Sequence, residues 1–233
     1  MSKEFYTGPL DEQPWPTKLT ARVLSPGVDV RLHGYSIESD LAAHYSFGET
    51  ILLALTGSIP TIARGRAFDV ALTFLAATTA TEAPIHAALL ARVCAATTSA
   101  ISGTGAIALA EQARFDLAPY AKLFVWLEAP THEAPPAFVA KSAEDRAHTR
   151  ALRHALAVRE AEIAPALSLD LDPTAALLSV LFTCGVRTLE HLETTRVLAR
   201  YPVLMAEALA SPAAKHRDYP VNTPEIRYEE ITS

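Results

Sequence analysis

Cysteine is scarce in this 233-residue chain: Cys94 and Cys184 stand alone, with no CxxC and no histidine at metal-ligand spacing. That pattern supports neither a disulfide framework nor a zinc site; two thiols buried in apolar helices of a cytoplasmic protein are the plain expectation. Charge is also thin. Only 20% of residues are charged, the net charge is −6, and no dense Lys/Arg cluster occurs, so nucleic acid is not an expected partner. No uninterrupted apolar run reaches the roughly 18 residues of a membrane span, and the polar start Met1-Ser-Lys-Glu-Phe5 lacks the apolar stretch of a secretory signal. Gly103-Thr-Gly105 is not a dinucleotide fingerprint and follows no strand. Ser46 and Ser179 lack the glycines of a nucleophile elbow. No metal and no tightly bound cofactor are expected.

What the chain does have is helix-forming apolar sequence. Half of its residues are hydrophobic, a globular composition rather than a disordered one. The expected class is mainly all-α with a short N-terminal β-hairpin, read from the alternation between Leu19 and His33 around Ser25-Pro26-Gly27. Helices are expected over 37–44, 47–56, 62–78, 84–98, 100–113, 116–128, 142–163, 173–184, 188–199 and 201–210. Ser46 with Glu49 makes a capping box, and Pro84 and Pro173 suit first helical turns. The expected organisation is an extended arm over 1–20, a helical core from 21–128 and 165–211, a reduced segment over 129–164, and a polar tail over 212–233. The helices flanking Ala95–Gly105 are apolar nearly all round, which requires cover on every side. A subunit interface is the expected cover, in a homodimer or heterodimer.

The stretch Arg31-Leu-His-Gly-Tyr-Ser-Ile37 through Leu55-Thr-Gly-Ser-Ile-Pro-Thr61 resembles the N-terminal signature of the citrate synthase family, "RGYxIxxLA…SFEEV…LLLxGxLPT". Further likenesses follow in order. Pro84-Ile-His-Ala-Ala-Leu-Leu-Ala-Arg92 with Ala96-Thr-Thr-Ser-Ala100 is similar to the family's "xSxxxAARxxASTGA", and Glu144-Asp-Arg-Ala147 to its "DPRA". Leu171-Asp-Pro-Thr-Ala175 stands at "NVDxxSG", and Val197-Leu-Ala-Arg-Tyr-Pro-Val-Leu204 at "FAxARxxGWxAH". Lys215-His-Arg-Asp-Tyr-Pro220 through Tyr228 is like the short tails of citryl-CoA lyase relatives. The resemblance implies the large helical domain of that family.

It also implies a site, and there the chain departs. Ala113 stands where the family's "GxxHGG" histidine belongs, with Arg114 and Phe115 in place of the glycines. The second family histidine lies seven residues before the aspartate of "DPR", and that position is Phe138. Between these landmarks the mobile small domain that closes over coenzyme A is mostly deleted. The positions that do match are Asp172 for the catalytic base and Arg146, Arg200 and Arg217 for the arginines that hold substrate carboxylates. Arginine suits that task because its planar fork makes two parallel charge-assisted bonds to a carboxylate.

Each of these residues has a purely structural alternative. Asp172 before Pro173 is equally a helix N-cap, Arg146 equally part of a solvated charged helix, and Arg200 equally a donor to open helix carbonyls. Enolising an acyl thioester requires a base at the carbon and a donor aimed at the developing oxyanion, and loss of one donor costs on the order of 100- to 1000-fold. The expectation is therefore a citrate synthase-like protein that has lost the condensation chemistry and acts as a binder of a small di- or tricarboxylate, or as a regulatory partner of a citrate synthase homologue. The alternative is an active enzyme of the acyl-CoA condensing or citryl-CoA cleaving type, with a coenzyme A thioester as substrate. In that case His86, His148, His154 or another subunit would replace what is missing.

Overall fold

The computed structural model describes residues 20–25, 27–130 and 133–213. The expected N-terminal arm and C-terminal tail, with Arg217, lie outside those residues, apart from a few at their inner edges. The chain forms two compact units, one running to Tyr45 and one from Ser46 onward. In the first, strands β1 (Arg31–Leu32) and β2 (Tyr35–Ser36) pair antiparallel, Arg31 with Ser36 and Leu32 with Tyr35. The hairpin is thus real but lies further along than its expected place around Ser25-Pro26-Gly27. The turn His33-Gly34 supplies two successive positive φ angles, 49° and 91°, the twist that two-residue hairpins need. Before it, the Ser25 hydroxyl donates to the Asp29 carbonyl (2.8 Å) and accepts from the Arg31 amide (2.9 Å). A single antiparallel Leu24–Leu32 bridge forms, with the Ser25 amide donating to the Arg31 carbonyl (2.9 Å) and the His33 amide to the Val23 carbonyl (2.8 Å). A π-helical turn over Ile37–Leu41 leads into α1 (Ala42–His44).

The second unit is helical throughout: α2 (Phe47–Thr56), α3 (Ile62–Leu75), α4 (Ala83–Val93), α5 (Thr98–Leu117), α6 (Ala121–Glu128), α7 (Ala143–Val158), α8 (Pro173–Thr183) and α9 (Leu189–Ala210). The capping box at α2 forms as expected: the Glu49 amide donates to Ser46 Oγ and the Ser46 amide to the Glu49 carboxylate. Gly57, at φ 73°, closes the helix in the left-handed conformation that glycine adopts without penalty. Two apolar clusters hold the helices. The larger joins α2, α3, α6, α7 and α8 through side chains such as Phe68, Leu123, Leu156 and Leu181. It also takes in Phe138, Leu152 and Ala164 of the segment 129–164. The smaller joins α4, α5 and α9 through Ile85, Ile101, Leu109 and Leu204.

Several helix boundaries differ from expectation. The final two expected helices are one, because α9 runs unbroken through Pro202. A proline there removes one backbone bond. The Tyr201 hydroxyl meets Ser102 Oγ at 2.5 Å, and the fully buried Leu204 and Ala208 lie on the far side of the proline, so packing on α4 and α5 carries the helix across. Helix α5 begins earlier and ends later than expected, capped by the Thr97 hydroxyl, which accepts from the Ala100 amide. Cys184 is buried, but Cys94, expected to be buried, is exposed at the end of α4. Burial pushes the Cys184 thiol up to about 12, which keeps it protonated. The outer side of α5 leaves Ile107 at 69% and Phe115 at 81% exposure, so a single chain does not supply the all-round cover its composition calls for. No helix among the described residues is long and apolar enough to cross a membrane.

Helices α5 and α9 approach closely at Gly105, where an added Cβ would lie 2.5 Å from a methyl of Leu204. Leu204 is fully buried and has nowhere to retreat. Gly105→Val should therefore destabilise the protein by about 1–3 kcal/mol through overpacking, read as a lowered Tm. An unchanged Tm would show that α5 and α9 are not held together here.

Candidate functional site

The start of α8 is fixed from two directions. Leu171 bridges Val139, the Asp172 amide donates to the Phe138 carbonyl (2.8 Å), and the Ala140 amide donates to the Asp170 carbonyl (2.9 Å). Pro173 at the first helical position has no N–H to leave unsatisfied. Asp172 then caps the helix: its Oδ1 accepts from the Thr174 amide (2.9 Å) and the Ala175 amide (3.0 Å). The Tyr120 hydroxyl donates to the same oxygen at 3.3 Å, and its ring stacks on Phe138 with centroids 5.7 Å apart. Burial raises the Asp172 carboxyl above the ordinary carboxylate range, and the two amide bonds and the tyrosine only partly offset it.

Helix α9 brings two arginines to one face, Arg196 and Arg200, one turn apart. Arg200 is engaged on every side. Its Nε donates to the Leu75 carbonyl (3.0 Å), Nη2 to the Ala77 carbonyl (2.9 Å) and Nη1 to Glu82 Oε2 (2.7 Å). The same Glu82 oxygen accepts from Gln112 Nε2 at 3.0 Å. Burial works against the charge of Glu82, but Arg200 and the bonds from Gln112 and the Thr79 amide prevail and hold its carboxyl below the ordinary range. Arg196 donates to Asp116 Oδ2. Burial, with the charge of Arg200 beside it, lowers the Arg196 pKa.

Both arginines line a cavity of about 270 Å³ between the end of α3, α7, the start of α8 and α9. His148, Thr149 and Thr174 add polar groups. His148 Nδ1 lies 3.1 Å from the Glu144 carbonyl. A carbonyl can only accept, so Nδ1 carries the hydrogen and Nε2 is the acceptor of the neutral ring. Thr149 is buried and donates to the Leu171 carbonyl at 3.0 Å. A second cavity of about 540 Å³ shares Thr174 and Arg196 and adds Asp116 and Tyr120. Arg196 therefore stands between two chambers.

The candidates named from sequence are distributed unevenly over this site. Arg200 lines the first cavity, but with its donors bonded to protein. Asp172 lines neither cavity and lies two residues from Thr174, which lines both. Arg146 is 43% exposed and makes only long contacts, 3.4 Å to the Ala140 carbonyl and to Asp170 Oδ2. Its neighbour Asp145 completes the capping box of α7 with the N-cap Ser142, accepting from the Lys141 and Ser142 amides at 2.9 Å. Arg217 is outside the described residues, and His86 and His154 line neither cavity. Arg196, Tyr120, Asp116 and Thr174 were not singled out from the sequence. The signal for Arg196 was present, because its spacing to Arg200 places both on one helical face. Among the described residues no three His, Cys, Asp or Glu side chains converge as a metal ion would require.

Over most of its length the chain resembles solved structures in its fold. Citryl-CoA lyase from Hydrogenobacter thermophilus superimposes with a TM-score of 0.62 at 16% identity, over 91% of this chain and 97% of that one. ATP citrate lyase from Methanothrix soehngenii, solved with citrate and coenzyme A, gives a TM-score of 0.54 at 12% identity, over 93% of this chain and 43% of that one. No protein-family model and no curated protein sequence matches. The fold is thus the citrate synthase-like helical fold, as the sequence motifs implied.

Two outcomes follow from these geometries. If Asp172 is chiefly a cap, Asp172→Asn keeps the accepting oxygen and should leave stability at pH 7 within a few tenths of a kcal/mol, whereas Asp172→Ala should cost about 1 kcal/mol; chemical denaturation reads both, and equal losses would refute the capping role. The depressed carboxyl of Glu82 stabilises the fold above its ordinary value of 4.5 and loses that contribution as pH falls through the lower folded value. Glu82→Gln should therefore cost about 1–3 kcal/mol at neutral pH, and its deficit against wild type should shrink in acid. A deficit independent of pH would contradict the ion pair.

Proposed function

We propose that this citrate synthase-like chain binds a small carboxylate in the Arg196–Arg200 cavity and does not carry out the condensation or cleavage of citryl thioesters. The observation that carries the reading is the convergence of Arg196 and Thr174 on one cavity at the start of α8. A desolvated guanidinium with N–H donors beyond the one bonded to Asp116 is a strong carboxylate partner. Support for the missing chemistry comes from Ala113 and Phe138, which are apolar and buried where the resemblance expects imidazoles. In addition, Asp172 has one oxygen already taken by three donors and stands outside the cavity wall. We read segment 129–164 as the remnant of a closing domain, now folded into the main apolar cluster. Pairing with a second subunit, a copy or a citrate synthase homologue, belongs to the same reading and is supported by the exposed Ile107 and Phe115 on α5.

The alternative, an active enzyme acting on a coenzyme A thioester, draws on one observation: His148 lines the cavity. One assay decides. Purified protein with acetyl-CoA and oxaloacetate, or with citryl-CoA alone, is expected to give no release of thiol or acetyl-CoA above background. In parallel, calorimetric titration across a carboxylate panel should find a binder whose heat is lost in Arg196→Gln. Turnover abolished by His148→Ala would replace this reading with the enzymatic one.

A further inference from the structure

The charges around the cavity are already balanced in pairs: Arg200 by Glu82 at 2.7 Å and Arg196 by Asp116. Asp172, two residues from Thr174, adds a further acid nearby, and no other arginine or lysine lines the cavity. A ligand bearing three carboxylates would bring three negative charges to a wall whose two arginines are already paired and of which only Arg196 has donors to spare. Charges stripped of water without partners are strongly disfavoured. The rest of the wall is apolar, made by Phe74, Leu75, Leu117, Leu152, Leu177 and Leu178. These side chains offer nothing to the extra carboxylates and hydroxyl of citrate, but a good surface to a hydrocarbon body. The volume sets the size. An engineered apolar cavity of about 150 Å³ holds benzene, so about 270 Å³ accommodates a ring or chain of that size together with one carboxylate.

We infer that the cavity is selective for an organic monoanion with an apolar body, a short-chain or aromatic monocarboxylate, and discriminates against di- and tricarboxylates. The carboxylate sits against Arg196 and Thr174, and the hydrocarbon lies along Leu177, Leu178, Leu152 and Phe74. This rests on the carboxylate-binding reading and sharpens it, since the chemistry of the wall chooses among carboxylates. The polar half supplies one charge-assisted fork, and the apolar half supplies burial in proportion to area. Arg200 takes no part as a ligand donor, because its fork is committed to Leu75, Ala77 and Glu82.

The test uses the full chain and calorimetric titration with hexanoate, benzoate, hexanol and citrate. Hexanoate or benzoate should bind at least about tenfold more tightly than either citrate or hexanol, a difference of 1.4 kcal/mol. Arg196→Gln should weaken the monocarboxylate by about 10- to 100-fold, the range set by losing a charge-assisted bond, with partial recovery in Arg196→Lys. Leu177→Trp, at a partly exposed position of α8, should fill the apolar half and abolish hexanoate binding; an unchanged circular dichroism melt shows that the variant still folds, and if it does not, Arg196→Gln and Arg196→Lys decide. Citrate binding more tightly than hexanoate, and lost in Arg196→Gln, would overturn the selectivity while leaving the carboxylate reading intact. Hexanol equal to hexanoate would overturn the role of the charge. No binding by any carboxylate would overturn both.

Discussion

The second unit is organised around the guanidinium of Arg200. It is 13% exposed and ties α9 to the α3–α4 connection more than a hundred residues away, bonding the carbonyls at the end of α3 and the glutamate that precedes α4. The end of α3 leaves carbonyls without helical partners, and a planar fork is well shaped to take two of them while pairing with a carboxylate. Gln112 extends the network into α5 through Glu82. Because the groups are largely out of water, removing any one would leave the others charged or unpaired. The arrangement therefore holds both apolar clusters in register, the larger through α3 and the smaller through α4, α5 and α9.

That commitment shapes what the neighbouring cavity can do. A second arginine one turn earlier on α9 faces the same space with fewer of its donors bonded, and a histidine oriented by the Glu144 carbonyl completes the polar edge. Two kinds of demand meet on one helix face: Arg200 keeps helices together, and Arg196 is placed to meet a ligand. The fold shared with citryl-CoA lyase and ATP citrate lyase supplies the scaffold, whereas the side chains in this cavity set its own chemistry. Asp172 illustrates the division. In sequence it matches a family base, and in the structure it terminates a helix in a half-buried place that raises its pKa.

Much of the architecture was legible from local rules. Ser46 and Glu49 mark α2 because a capping box satisfies two open amides within four residues, and Asp172-Pro173 marks α8 for similarly local reasons. Features that depend on packing were harder to read. Pro202 looks like a helix end, yet α9 passes through it because buried contacts on either side outweigh one lost backbone bond. The alternation from Leu19 to His33 marks a region that does pair, Leu24 with Leu32. The two-stranded ladder, however, turns at His33-Gly34, whose successive positive φ angles suit paired strands and are not signalled by a proline. At the site, motif matching singled out Arg200 by its place in a pattern. It could not show that Leu75, Ala77 and Glu82 occupy the fork, because those partners come from more than a hundred residues away. Arg196 went unmarked because it matches no motif position, although its spacing to Arg200 was open to view.

The central claim is a division of labour between two arginines, and their Nε–H groups report on it directly. Nitrogen-15 NMR of the arginine side chains, assigned through Arg196→Lys and recorded with and without saturating hexanoate, follows each one. The account predicts that the Arg200 Nε–H, bonded to the Leu75 carbonyl, exchanges slowly with water and does not move on ligand addition, while the Arg196 signal shifts. A rapidly exchanging Arg200 Nε–H that shifts with the ligand, beside an unperturbed Arg196, would contradict it.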